Sequence, residues 1–295
     1  MENQDNKNSK NSLIALRSEI DKIDNQILDL LKQRMNVVRQ VGELKTANNE
    51  RFFIKSSREA DMIKELIKKI DFNFPKSAII NIWRKIIVSA NMFEQPLNIA
   101  IHNPKNISDY AYLAKEYYSD EIPLSFHDSV ANIVLEIEKG KAQIGIFALP
   151  KSTDYKSDLT ENWWINLANN KLGIKVFAKI PFVEFANKSL VNNEIELVAV
   201  AIKEAEKSIE DNSLIYVEVD KNITKDDMIH ALKISGLKAK ILKSVKSPQV
   251  ENIIFYLIEL EGFFDDKDEN LKSFIKSEIK PFVKILGSYA LPIKI

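Results

Sequence analysis

The chain has 295 residues, more than one typical domain, so two or three domains are expected. Lysine plus arginine and aspartate plus glutamate balance at 42 each, which argues against a nucleic-acid-binding surface. The lack of cysteine excludes disulfides and thiolate sites, and His102, His127 and His230 are too scattered to suggest a histidine-built metal centre.

Residues 1–12, MENQDNKNSKNS, are polar and of low complexity, and are expected to form a disordered leader with Ser12 capping the element that follows. They hold no apolar signal-peptide core, and no apolar run in the chain approaches the ~20 residues of a membrane span. A cytoplasmic protein that meets neither membrane nor nucleic acid is the expectation. Residues 13–45 contain no proline and one glycine, Gly42. Apolar residues at Leu16, Ile20, Ile23, Ile27, Leu30, Val37, Val41 and Leu44 step by three and four, as one face of a long helix does. Such a helix is roughly 50 Å long, more than a small domain can cover, so a partner chain is the simplest cover for its stripe. One step of the ladder is Arg34. A charge in a seam is costly to bury unless an anion meets it.

Ser56 with Glu59 reads as a capping box opening a second helix that carries Met62, Ile63, Leu66, Ile67 and Ile70. Pro75 suits the first turn of a third helix, which runs to about Phe93 with Ile79, Ile82, Trp83, Ile86 and Ala90 on its apolar face. From Leu97 the texture changes. LNIAIH reads as a strand, DYAYLAKEYY and VANIVLEIEKG as helices, QIGIFAL as a strand, and KLGIKVFAKIPFVEF as one or two more. The last stretch gives LIYVEV, TKDDMIHALKISG, KAKILKSV, ENIIFYLIELEG, DENLKSFIKSEI and FVKILGSYA, a βαββαβ order with the ferredoxin-like pattern. The fold class is therefore multi-domain, α plus α/β: a leader at 1–12, three helices over 13–95, an α/β region over 97–205 and a ferredoxin-like domain over 206–295.

Several charged residues stand out. Arg34 and Lys45 are 11 positions apart, so on one helix they return to within roughly 20° of each other and can converge on a small anion. Arg17 lies about 25 Å further along the axis and roughly 100° around, so it cannot share that anion. If Arg17 serves a site, that site belongs to an antiparallel partner helix. Taken singly, Arg17 and Lys45 are most simply solvated charges, Arg58 a surface charge beside Glu59, and Glu94 a solvated helix-end carboxylate. The functional alternative groups the cations around an anion, with Glu94 donating a hydrogen bond when protonated. For Arg34, inside the seam, the functional reading comes first.

The runs LRSEIDKIDNQILDLLKQR, VGELK, SSREADMIKEL and IWRKIIVSANMFEQP resemble the all-helical chorismate mutase family, in the form that heads bifunctional mutase–prephenate dehydratase proteins. The resemblance covers nearly all of 13–95. It implies an intertwined helical homodimer in which Arg17 reaches the neighbour's site. It also implies that Arg17, Arg34 and Arg58 clamp substrate carboxylates, and that Lys45 and Glu94 face the ether oxygen. The implied reaction, chorismate to prephenate, breaks an ether bond as a carbon–carbon bond forms. It needs no metal, redox cofactor or nucleophile, only a dianion held in its compact, near-attack form and donors aimed at the oxygen that gains charge. Because a glutamate donates only when protonated, activity is expected to fall as pH rises. Departures touch recognition of the substrate hydroxyl: Lys55 stands where some relatives have aspartate, and Ala90 where some have serine.

The remaining two-thirds resembles the dehydratase half in weakened form. ENIIFYLIELEG and VKILGSYALP are similar to the end of a ligand-binding ACT domain, and FHDSVANIVLEIEKGKAQIGIFALP to a dehydratase segment. The Gly-Pro-x-Gly opening is replaced by HNPKNISDYA, no Thr-Arg-Phe triplet follows VEFANKSLVNN, and SVKSP stands for Glu-Ser-Arg-Pro. The resemblance thus implies a dehydratase-like scaffold without dehydratase activity, with an aromatic amino acid as the effector class an ACT-like domain would take. The alternatives are a bifunctional mutase–dehydratase with diverged motifs, and a non-catalytic, ligand-sensing dimer.

Overall fold

The computed structural model describes residues 2–48, 50, 52–71, 73–150, 162–184, 195–247 and 250–295, with the side chains of 2–11 outside the description. Two compact units emerge, Met1–Phe53 with Phe93–Gln95, and Ile54–Met92 with Pro96–Ile295.

The first unit is dominated by one helix, α1 (Glu2–Ala47). The expected disordered leader is instead the start of this helix, and Ser12 lies inside it rather than at a cap. Residues 1–12 contain neither proline nor glycine. Extending an existing helix into them costs only modest propensity, whereas nucleating a new one would be unfavourable. The apolar ladder is bare: Leu16, Ile20, Ile23, Ile27, Leu30, Val37 and Leu44 are each about half exposed or more, Leu44 at 65%. An isolated chain leaves this stripe in water, as expected of a surface that needs a partner.

In the second unit, α2 (Ser56–Lys68) and α3 (Lys76–Glu94, all but its last two residues) pack with a mixed α/β body. The capping box at Ser56 and Glu59 does not form. Lys55 stands at the N-cap without a side-chain capping hydrogen bond, Ser56 Oγ donates to the Phe177 carbonyl, and Glu59 turns to α3. Tertiary partners outcompete the local cap. Of the expected face of α3, Ala90 is buried and Ile79, Trp83 and Ile86 are partly so, but Ile82 is 45% exposed, and the most buried side is that of Ile80, Arg84, Ile87, Val88 and Asn91. With isoleucines on both sides of the helix, periodicity alone could not choose the face.

The body is built on β1 (Ile99–His102), α4 (Ser108–Tyr117), β2 (Leu124–His127), α5 (Val130–Glu138), β3 (Ile144–Ala148), α6 (Trp163–Asn169), β4 (Ile174–Ile180), β5 (Val183–Glu184) and β6 (Leu197–Ile202). It continues through β7 (Asp211–Asp220), α7 (Lys225–Ile234), β8 (Ala239–Lys246), β9 (Ile253–Glu261), α8 (Glu269–Ile275), β10 (Phe282–Ala290) and β11 (Ile293–Lys294). One sheet runs in the order β2-β1-β3-β6-β4-β10-β7-β9-β8, and β11 pairs with β5 in a small second sheet. β1, β2 and β3 are parallel, and β6 runs antiparallel to both β3 and β4. The last four strands are antiparallel, with the second β strand of the βαββαβ unit at the edge and the fourth beside the first. This is the ferredoxin-like arrangement expected from the order of elements.

The middle of β7, residues 214–219, is apolar at every position but Glu218, and its burial explains why. Leu214 and Tyr216 join a core with Trp163, Trp164 and Leu286 on one face, while Ile215, Val217 and Val219 join Met228, Leu232 and Phe274 on the other. A strand covered on both faces cannot alternate apolar with polar. α7 does carry a true capping box: Thr224 Oγ1 accepts from the Asp227 amide, and the Asp227 carboxylate accepts from Thr224 N. The two halves of the sheet meet at a parallel pairing of β10 with β4, Gly287 opposite Val176.

Candidate active site

The last turn of α1 carries Lys45, and the chain then doubles back, with Glu50 N donating to the Lys45 carbonyl at 3.0 Å. This return brings Phe53 beneath the lysine. Lys45 Nζ donates to the Phe53 carbonyl (3.0 Å) and lies 5.2 Å from the Phe53 ring centroid. It also donates to Glu94 Oε2 at 2.5 Å. The side chains of Lys45 and Glu94 are only 14% and 7% exposed, so this pair is well shielded from water. Gly42 is buried one turn before Lys45, and a Cβ there would lie 3.4 Å from Glu94 Cγ. The lone glycine of the long helix therefore marks where Glu94 crosses it.

Arg34 lies on the same helix and is half-buried. Its Nη1 is buried and has no hydrogen-bond partner among the described residues. Such a nitrogen carries an unmet desolvation cost that an incoming oxygen anion would relieve. Gln95 Nε2 is another buried nitrogen without a partner, at the far end of the same unit's short C-terminal segment. Arg17 is exposed on α1. Arg58 is exposed as the third residue of α2 and belongs to the other compact unit. Of the residues singled out in the sequence, the fold thus joins Lys45 to Glu94 and sets Arg34 on the same helix.

One cluster escaped the sequence reading. Arg84 is 5% exposed, donates to the Tyr117 carbonyl at 2.6 Å, and stacks 3.9 Å from the Tyr117 ring centroid. It also pairs with Glu59 at 3.4 Å, and Asn91 donates to the other Glu59 oxygen at 2.9 Å. The signal was an arginine within IWRKIIVSA, but it lies off the face of α3 that the apolar spacing selects.

Residues 16–95 match the family model described as chorismate mutase type II. The N-terminal part of the chain carries a chorismate mutase type II domain. A bifunctional chorismate mutase/prephenate dehydratase of Stutzerimonas stutzeri is 28% identical over 148 residues, 48% of this chain and 40% of that protein. One of Aquifex aeolicus is 27% identical over 138 residues, 45% of this chain and 38% of that protein. The matched stretch spans well under half the length of these relatives. Among solved structures, a prephenate dehydratase from Streptococcus mutans aligns at a TM-score of 0.43 and 12% identity, covering 68% of this chain and all of that one.

Residues 185–194, which hold most of VEFANKSLVNN, lie outside the described residues, as does Pro248 at the end of SVKSP. Among the described residues no group of three or more histidine, aspartate or glutamate side chains could hold a metal ion, and no helix is long and apolar enough to cross a membrane.

Proposed function

We propose that this protein is a chorismate mutase acting as a homodimer, with sites built from both chains. The observation that carries the reading is Arg34: a half-buried guanidinium in an apolar seam, with Nη1 unmet on a helix whose end holds the Lys45–Glu94 pair. A dimerisation helix would gain by an apolar residue there; a dicarboxylate site needs a cation. The match of 16–95 to chorismate mutase type II supports the same reading.

In the proposed mechanism Arg34 and Arg58 clamp substrate carboxylates, joined by Arg17 of the second chain. This holds the dianion in its near-attack shape. Lys45 donates to the ether oxygen as the carbon–oxygen bond breaks, and protonated Glu94 gives a second donor to the same atom. The substrate supplies every atom of the product, so the protein's work is positioning and charge stabilisation. Residues 97–205 serve as a dehydratase-like scaffold without dehydratase activity, and residues 206–295 as an ACT-like domain for which an aromatic amino acid is the effector class. The protein is expected in the cytoplasm.

The test is chorismate consumption with identification of the product. Prephenate supports the proposal and no turnover overturns it. Phenylpyruvate would favour a bifunctional enzyme, the activity named for the relatives above. Sharing of the site is tested by mixing an Arg17→Ala chain with an Arg34→Ala chain. Each variant alone is expected to be nearly inactive, and the mixed dimer to regain one intact site; a mixture no more active than its parts would count against a site made by two chains.

The role of Glu94 gives a further prediction. An ionised carboxylate there pairs with Lys45 and competes with the ether oxygen for that ammonium, whereas an amide is itself a donor. Glu94→Gln is therefore expected to retain or raise turnover of chorismate, and Glu94→Ala to lower it about tenfold or more. Equal losses in both variants would sink this role.

A further inference from the structure

The segment between β6 and β7, residues 203–210, is bonded along the start of α2. Ser57 Oγ donates to the Glu206 carbonyl at 2.9 Å, and the Glu206 carboxylate pairs with Lys55 at 3.1 Å and with Lys203 at 3.2 Å. Lys203 Nζ also reaches the Ile54 carbonyl at 3.2 Å, just before the helix. One and two turns on, Ile209 N donates to Asp61 at 3.0 Å, and Lys64 pairs with Glu210 at 2.9 Å. Beside this strap, Ser56 Oγ donates to Phe177 O on β4.

These contacts are concentrated where α2 lacks a cap of its own. An uncapped helix start frays, because its first amides have no partner within the helix. Here the first turn is held from outside. Arg58 sits between two pinned neighbours: Ser57, held by the strap, and Glu59, held by Arg84 and Asn91. The Arg58 side chain itself remains exposed. The backbone that presents it is thus fixed while its guanidinium is free to take a ligand.

We propose that the 203–210 segment is a positioning element for the mutase, with Lys203 and Glu206 acting through the first turn of α2 on Arg58. This rests on reading Arg58 as a carboxylate clamp. It gives the α/β body a part in the reaction that needs no catalytic group of its own. The Lys203 side chain is 6% exposed, and burial pushes its ammonium below the ordinary value against the pull of Glu206. In this dry place a carboxylate and a carbonyl both meet the cation, which offsets part of its desolvation.

The test uses the full chain with Lys203→Met, which keeps the side-chain stem, and Glu206→Gln as a second variant should the first fail to fold. Either is expected to raise KM for chorismate about five- to tenfold with kcat within about twofold, the signature of weakened uniform binding. In an Arg58→Ala background the same change should add almost nothing, because the strap acts through that arginine. Full additivity with Arg58→Ala, or an unchanged KM, overturns the proposal. Hydrogen exchange of the residue 56–61 amides reads the strap without any activity. About tenfold faster exchange there in the variants is expected, and unchanged exchange overturns the strap. A wild-type protein without turnover instead overturns the functional reading, while exchange still decides whether the segment holds α2.

Discussion

Arg34→Ala is expected to lower kcat/KM for chorismate by about 10²–10³-fold, roughly 3–4 kcal/mol of transition-state stabilisation. Stability should not fall with it. The guanidinium is half-buried with Nη1 unmet, so removing it relieves a desolvation cost instead of breaking a bond. Activity lost while the melting temperature holds or rises would separate a ligand-binding cation from a structural one. Arg34→Lys should recover only part of the rate, since an ammonium cannot offer the planar pair of donors that suits a carboxylate. Turnover of the alanine variant within tenfold of wild type would end the claim that this residue is the central clamp. A fall in stability of several kcal/mol would show that Arg34 was holding the fold instead.

Gly287→Ala is expected to destabilise the protein by about 3 kcal/mol or more and to lower its melting temperature by about 5–10 °C. Gly287 has φ of +139°, a conformation that side chains rarely adopt. A Cβ there would lie 2.1 Å from the Val176 carbonyl oxygen and 2.5 Å from its nitrogen. Both are backbone atoms of the neighbouring strand and cannot swing aside. Thermal or urea unfolding checks this directly. Gly140→Ala provides the comparison, because φ there is also positive (+69°) but nothing lies within 4 Å of the added methyl. Equal losses at both positions would mean that backbone strain, and not the close approach of β10 to β4, sets the cost.

The sequence was most informative where burial dictates pattern. The strands of the ferredoxin-like unit and their order followed from apolar runs broken by turns, because β7 and β9 are covered on both faces. β2 escaped because LSFH is short and only partly buried, and α6 because WWINLAN makes barely two turns. β6, LVAVAI, is a short continuous apolar run, which periodicity alone does not distinguish from a buried helix segment. At the helix starts, local rules lost to tertiary partners: Ser56 and Glu59 fit a capping box by spacing but bond to Phe177 and to α3. For the candidate site, Arg34 could be found from periodicity alone. Lys45 and Glu94 could not, since 49 residues separate them and only a long-range fold or a family likeness joins them. The strap on α2 had no signature at all. KEAEKSIE reads as an ordinary solvated loop until the helix it holds is in view.

The position of β10 in the sheet has a consequence for how the protein comes to be made. β10 lies between β4 and β7, yet both of those neighbours precede it in sequence. During synthesis, β2, β1, β3, β6 and β4 can assemble first, and β7, β9 and β8 after them, as two separate sheets that each wait with an open edge. Open edges offer unpaired backbone groups to any other strand nearby. The nascent chain is therefore most exposed to mispairing after β9 has been translated and before residue 282 arrives. A single glycine then lets the last large strand slide in close enough to fuse the two halves.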